Sequence, residues 1–470
     1  MADIETLYPK PKSGSEHELE WPSREVLSWL KERISNKESA TLIKFTGELD
    51  SADVSDLLDN LESSQRIEYV SLLGDDFDYS ILTDSQECVR DQIIDELPWD
   101  KVASGVRGLE VDDAAYLIED LSEVEKEALF AEMPEFQRQK LQKTLDYPDD
   151  SAGRLMSTDF IAIPQYWTIG QTIDFMRDNE DLPDDFFEIY VIDPSHRLEG
   201  RVSLNHILRS KRPTLISDIM IDAKYYANVL DDQEEVARQF TRYDLVSAPV
   251  CDNKNHIVGV VTIDDVVDVI QEETDEDIRR IVGLGDEEIS DNIVNTISSR
   301  FIWLFINLAT SILASIVIGL FEATIEQMVA LAVLLPIVAS MGGNAGTQTM
   351  TVTVRALAAK ELNTYNAIKI VRREVVVGIF NGLIFAIILG IVAAAWFHLP
   401  NGALNYNLGL VIAMAMIVNM ITAGLFGILI PLTLDKLKID PAIASSVFVT
   451  TVTDVVGFFA FLGLASAWLV

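Results

Sequence analysis

The sequence predicts a multidomain membrane protein with four parts. These are an all-α superhelical N-domain, an α/β domain of two tandem modules, an acidic amphipathic helix, and an α-helical membrane domain of five spans. Three observations lead there. The chain holds 74 acidic against 36 basic side chains, a formal net charge of −38, yet 49 % of its 470 residues are hydrophobic. The two properties occupy different halves: Arg300 onward contains eight basic and seven acidic residues and is near +1, so the first 299 residues carry −39. Finally, residues 301–321, 327–354 and 375–434 carry no formal charge, and 441–470 carry Asp454 alone. One globular domain does not segregate in this way, and a nucleic-acid binder needs a basic footprint. What remains is a membrane protein with a large acidic soluble portion.

Residues 1–24 read as a polar tail without the apolar run of a signal peptide. Over 25–150, Leu and Ile recur at helical spacing and acidic residues fill the other faces, which predicts amphipathic helices. An internal repeat appears at an offset of 60: Asp53, Leu57, Leu58 and Leu61 correspond to Asp113, Leu117, Ile118 and Leu121. Such a repeat predicts a helical superhelix. Nothing in this part suggests catalysis, and it reads as an acidic interaction or spacer domain.

Residues 151–271 alternate β-branched stretches, such as Ile189–Ile192 and Ile257–Ile263, with helical segments at Ile169–Arg177 and Glu234–Tyr243. Two units follow one plan: helix, strand, Asp-rich turn, strand, short helix. Tyr190-Val191-Ile192-Asp193 corresponds to Ala248-Pro249-Val250-Cys251-Asp252, and Gly200 to Ser203 aligns with Gly259 to Thr262. The doubled Gly-x-Val-(Ser/Thr) pattern resembles a tandem pair of cystathionine β-synthase (CBS) regulatory modules. In such modules a Thr-x-x-Asp pair often holds a nucleotide ribose. Thr262 and Asp265 have that spacing, whereas the first unit has Ser203 and His206. The same spacing equally suits a helix N-cap with an acid at N3. Cys88 and Cys251, the only cysteines, both fall in this soluble portion, where a structural disulfide is not expected.

The acidic connecting helix is expected over 264–298. Eight of its first fourteen residues, Asp264 to Asp277, are acidic and none is basic. Like charges four residues apart, such as Asp264 with Asp268 and Glu272 with Glu276, each cost about 0.2–0.5 kcal/mol in an isolated helix. Asp231, Asp232, Glu234, Glu235 and Asp244 of the second module are expected opposite it. Such a set is either a solvated face or a sensor for a hard, oxygen-seeking cation that relieves the repulsion. No EF-hand loop is present.

The membrane domain covers 299–470, with spans expected at about 300–321, 327–356, 373–397, 407–434 and 441–469, each near the roughly 20 residues that a span needs. Arg355, Lys360, Lys369, Arg372 and Arg373 follow the second span, and Lys436 and Lys438 follow the fourth. The other two loops have no Lys or Arg. This places the N-terminal portion in the cytoplasm and the C-terminus outside. Asp454 is the only ionisable residue deep in a span, and an intramembrane acid is a candidate functional site. Thr450, Thr451 and Thr453 precede it. In the second span Gly342, Gly343 and Gly346 bare the backbone while Asn344, Thr347 and Gln348 supply neutral oxygens. Glu322 and Glu326 lie in the outer loop. Mg²⁺ sheds water reluctantly and is typically held by one or two carboxylates plus waters, so a single acid suits it, and a twofold dimer would supply a second.

Taken together, SAGRLMST at Ser151–Thr158, GGNAGTQ at Gly342–Gln348 and TTVTDVVGFF at Thr450–Phe459 resemble the MgtE family of magnesium channels over about residues 40–470. The resemblance implies a homodimer in the bacterial inner membrane, with a pore at the dimer interface lined by the second and fifth spans. It implies pore or selectivity roles for Gly343, Asn344, Gly346, Gln348, Thr450, Thr453 and Asp454. By the same resemblance, Asp232, Glu234, Asp244, Asp265, Asp268, Glu273, Glu276 and Asp277 would bind regulatory Mg²⁺ and hold the gate shut through the connecting "plug" helix. It also implies ATP as a regulator in some members, here through Thr262 and Asp265. A secondary divalent-cation transporter and a nucleotide-sensing receptor without transport are the alternatives. No P-loop or nucleophile triad points to an enzyme.

Overall fold

The structure is a computed structural model. It describes residues 21–179, 182–183, 186–281, 283–284, 293–358, 360, 362, 367–397 and 404–469. It divides into two compact units at Gln271/Glu272.

The first unit opens with α1 (Arg24–Ser35), α2 (Ser39–Thr46), α3 (Ser51–Asp59), α4 (Ser63–Leu73), α5 (Glu87–Glu96), α6 (Trp99–Val106), α7 (Val111–Ile118), α8 (Glu123–Glu132) and α9 (Glu135–Leu145). Ser23 caps α1 by accepting from the Val26 N–H, and Ser122 with Glu125 forms a capping box on α8. Residues such as Leu30, Leu42, Leu58, Tyr69, Ile93 and Ile118 share one apolar core. The 60-residue repeat falls on equivalent helices: Leu57 and Leu58 of α3 are buried, as are Leu117 and Ile118 of α7. Asp53 and Asp113 lie in the respective first turns, where the helix dipole favours an acid.

The two modules follow. The short α10 (Ala152–Leu155) leads to β1 (Ala162–Pro164), α11 (Ile169–Asp178), β2 (Glu188–Ile192), β3 (Leu198–Ser203) and α12 (Leu204–Arg209). The second module has β4 (Ala227–Asn228), α13 (Gln233–Tyr243), β5 (Ser247–Cys251) and β6 (Ile257–Thr262). Each sheet pairs its first two strands parallel and its last two antiparallel, with a register shift at Val191/Ile192 in one and Val250/Cys251 in the other. The Asp-rich turns are also equivalent. Asp193 Oδ1 accepts from the Ser195 and Arg197 N–H groups, and Asp252 Oδ1 accepts from those of Lys254 and His256. The repeated glycine is sterically required. A Cβ on Gly200 would lie 2.8 Å from the Ile221 carbonyl oxygen, and one on Gly259 would lie 2.7 Å from that of Ser157.

The acidic helix is α14 (Ile263–Ile281). Ile263, read from sequence as the end of a strand, starts this helix instead, because Asp265 accepts from both the N–H and the hydroxyl of Thr262 and turns the chain. The single helix expected over 264–298 is described as α14 and, from Ile293, the next helix. Val282 and residues 285–292 lie outside the described residues, as does nearly all of the 1–24 tail.

The second unit contains α15 (Ile293–Gly319), α16 (Glu322–Gln327), α17 (Ala330–Ala358), α18 (Ala367–Trp396), α19 (Tyr406–Lys436) and α20 (Pro441–Trp468). By length and composition, five helices among the described residues can cross a membrane. The third span starts earlier than expected. Lys369, Arg372 and Arg373 occupy the first turns of α18 rather than a loop, since the helix keeps its backbone bonded while long cationic side chains reach for water. The segment with Glu322 and Glu326, expected as an outer loop, is helical. The α19 helix is the most enclosed span. Its neighbour α18 approaches it through Gly378, Gly382 and Gly390, where a Cβ would lie 2.8–3.2 Å from α19 backbone atoms.

Candidate functional site

Two groups of candidate residues stand out, one in the membrane unit and one around α14. In the membrane unit Pro441 opens α20, and Asp440 caps it by accepting from the Ala442 N–H at 2.7 Å. Asp454 sits mid-helix and is partly exposed. The Thr450 and Thr453 hydroxyls donate within α20, to Ser446 and Thr450 carbonyl oxygens, each at 2.9 Å. Their donors are spent on the helix, so half-buried Thr450 keeps only oxygen lone pairs to offer, while Thr453 is fully buried. The glycine face of α17 meets this stretch: a Cβ on Gly346 would lie 2.5 Å from Val449 and 3.6 Å from Thr453, and one on Gly343 would lie 3.6 Å from Thr450. Gly346 and Thr453 are buried in that contact and serve packing, whereas Asn344 and Gln348, four residues apart, are exposed on one face of α17. The helices bearing the second-span motif and Asp454 are therefore packed together.

The second group gathers around the start of α14. Burial pushes the Asp112 carboxyl well above the usual carboxylate range, and Asp265, Asp113 and Glu110 push it further. Asp112 Oδ1 is buried with no hydrogen-bond partner. Burial, then Glu110, Asp84, Asp264 and Asp268, raises Asp113 to about 6. Asp265 rises to about 7 through burial, Asp264 and Asp113, against the opposing Thr262 hydrogen bonds. Desolvation, Asp84 and Asp264 also raise Asp268.

The acids that face Asp265 thus come from α7 and its flanks, not from α13 as expected. Asp232 caps α13, accepting from the Glu234 N–H at 3.0 Å. Asp244 ends α13 in the left-handed region at φ 51°. Asp232, Glu234 and Asp244 are all exposed, and none is among the charges acting most on Asp265 or Asp268. The reason is packing: α13 turns Val236, Ala237 and Phe240 into the core, leaves Glu234 exposed and pairs half-buried Glu235 with Arg238. Farther along α14, Glu276 pairs with Arg280, which also reaches Asp440 at 2.7 Å. Desolvation, Asp440 and Glu273 raise Asp277. Sequence reasoning missed Asp84, Glu110, Asp112 and Asp113. The one available signal was that Asp113 belongs to the 60-residue repeat.

Among the described residues no three His, Cys, Asp or Glu side chains are already placed to ligate one metal ion. The donor set nonetheless fits a hard cation. It consists of carboxylates that raise one another's pKa, one with an orphaned buried oxygen, and a divalent ion there would relieve the repulsion. The Thr262–Asp265 hydrogen bond, 2.6 Å from hydroxyl to carboxylate, matches the helix-capping reading. A ribose would have to replace that bond.

These carboxylates imply a pH dependence. A raised acid binds more protons folded than unfolded, so stability falls as pH rises from near 4 through about 7, the folded-state value of Asp265, and levels off only above it. With a chelator present, the thermal midpoint of the full chain in detergent should fall between pH 5 and pH 7.5. Asp112→Asn should flatten that slope; an unchanged slope would contradict a buried acidic cluster.

Comparison with known proteins agrees with this architecture. A family described as "Divalent cation transporter" (MgtE) matches residues 335–464, the MgtE intracellular N domain matches 49–150, and CBS domains match 152–212 and 216–272. The magnesium transporter MgtE of Bacillus subtilis is 30 % identical over 90 % of this chain and 92 % of its own length. That of Enterococcus faecalis is 33 % identical over 70 % of this chain and 72 % of its own. A crystal structure of the soluble part of a magnesium transporter is 25 % identical and covers 53 % of this chain and 97 % of its own, at a TM-score of 0.47. The chain belongs to the MgtE family, a family of multi-pass membrane transporters and not of enzymes.

Proposed function

We propose that the protein is a Mg²⁺-selective channel that imports magnesium across the plasma membrane as a homodimer and is closed by intracellular Mg²⁺. The observation that carries this reading is Asp454, a partly exposed acid in the middle of α20, one turn after Thr450, which meets the glycine face of α17. A lone mid-membrane carboxylate suits an ion that keeps most of its water and is held through it. A second copy across a twofold axis doubles the charge at that height. In this reading the exposed Asn344 and Gln348 of α17 face the path. The Lys/Arg bias of the loops supports a cytoplasmic N-terminal portion and an extracytoplasmic C-terminus.

Regulation follows from the acidic cluster. Asp112, Asp113, Asp265 and Asp268 would hold Mg²⁺, with Glu273, Glu276 and Asp277 farther along α14 as further candidates. Asp232, Glu234 and Asp244, exposed on α13, would contribute separately. With Mg²⁺ scarce the carboxylates repel and the cytoplasmic part loosens. With Mg²⁺ abundant, the ion selects the closed state by binding it better.

The test is single-channel recording from the full chain in planar bilayers with Mg²⁺ as the only permeant cation. Unitary currents that vanish as Mg²⁺ rises on the N-terminal side are expected. Mg²⁺ flux coupled to another ion, without unitary currents, would make it a secondary transporter, and absence of flux would leave a receptor.

A further inference from the structure

Among the described residues of the membrane unit, one fully buried amide has no role above. Asn419 of α19 is 0 % exposed. Its Nδ2 donates to the Val338 carbonyl oxygen of α17 at 2.8 Å, and its Oδ1 is buried without a partner. Two glycines from two other spans enclose it. A Cβ on Gly342 of α17 would lie 2.3 Å from Asn419 Nδ2 and 2.8 Å from Oδ1. A Cβ on Gly457 of α20 would lie 2.8 Å from Nδ2 and 3.1 Å from Oδ1. Any side chain at either glycine would collide with this amide.

The placement of these contacts matters. Gly342 adjoins Gly343 and Asn344. Gly457 lies less than one helical turn beyond Asp454, with 3.6 residues per turn. The other glycine contacts between α17 and α20, Gly343 with Thr450 and Gly346 with Val449 and Thr453, are van der Waals contacts without a hydrogen bond, as are the apolar contacts of Leu334 and Val338 with Phe461 and Leu462. A hydrogen bond is directional, and a side chain keyed between two Cβ-less positions admits one register. Sliding α20 by one residue would replace Gly457 with Val456 or Phe458 against the amide.

We infer that Asn419 is a positioning residue for transport, tied to α17 by its hydrogen bond and keyed against Gly342 and Gly457, so that it sets the height and rotation of Asp454 relative to Asn344 and Gln348. This rests on the reading of Asp454 as the ion-binding residue. It predicts a defect in how well the path holds the ion rather than a loss of the protein. Asn419→Leu keeps similar bulk and removes the donor. Gly457→Ala keeps the amide and pushes on it from the α20 side.

The experiment measures Mg²⁺ flux against Mg²⁺ concentration in proteoliposomes containing the full chain, with thermal unfolding of the same preparations. Folded Asn419→Leu should show a half-saturating Mg²⁺ concentration at least tenfold higher and a maximal flux within about threefold of the unsubstituted protein. If Asn419→Leu does not fold, Gly457→Ala is read for the same shift. An unchanged half-saturation in the folded variant, a loss of maximal flux alone, or unfolding of both variants would assign Asn419 to packing and overturn the inference. Asp454→Asn runs alongside: normal flux in that variant would sink the ion-site reading, whereas no flux there with unchanged saturation in Asn419→Leu would sink only the positioning role.

Discussion

Asp454→Ala should abolish Mg²⁺ flux in proteoliposomes, by at least about a hundredfold, while leaving the protein folded and inserted. A charged acid at the centre of a span costs about 2.5–3.5 kcal/mol on insertion scales, so removing it should not lower the unfolding midpoint. Loss of function without loss of stability separates an ion site from a structural acid. Asp454→Glu keeps the charge but moves it by one methylene, and should retain measurable flux. Flux near the unsubstituted level in Asp454→Ala would remove Asp454 from the path.

The next-largest effect is expected from neutralising the acidic cluster. Combined Asp112→Asn, Asp265→Asn and Asp268→Asn should leave flux at low Mg²⁺ intact and remove closure at high Mg²⁺. Moving a two-state equilibrium from 1:99 to 99:1 takes about 5.5 kcal/mol of differential binding, which several weak sites can share. Losing one site worth about 1.4 kcal/mol shifts half-closure tenfold, and losing the cluster should put it out of reach of millimolar Mg²⁺. Protection of the N-terminal portion from protease by Mg²⁺ should disappear in parallel. Closure at the unchanged Mg²⁺ concentration would show that α13 or the later acids of α14 hold the sensor. The triple substitution also removes mutual repulsion, so the metal-free protein should become more stable, opposite to the loss expected if these acids formed structural ion pairs.

Much of this was legible in sequence because it depends on neighbours along the chain. A span is a run of about twenty residues, so five spans, their order and the isolation of Asp454 follow from hydropathy alone. The tandem modules were visible because each strand–turn–strand unit is local, down to Asp193 and Asp252 in equivalent turns. The early start of α18 was missed because charges were read as loop, although a helix continues through an interface where Lys and Arg can reach water.

The tertiary structure alone decided which groups face each other. From sequence, α13 looked like the acidic partner of α14, because it is near in the chain and rich in Asp and Glu. The fold leaves Asp232, Glu234 and Asp244 exposed and brings Asp112 and Asp113, some 150 residues away, to act on Asp265 and Asp268. Asn419 shows the same limit in the membrane. A neutral amide in an apolar run has no period and no charge to mark it, and it becomes distinctive only when Gly342 and Gly457 of two other helices close around it. Composition and periodicity report where one segment meets water or lipid. Juxtaposition of distant segments is set by packing, in which the shapes of side chains from several helices must be satisfied together.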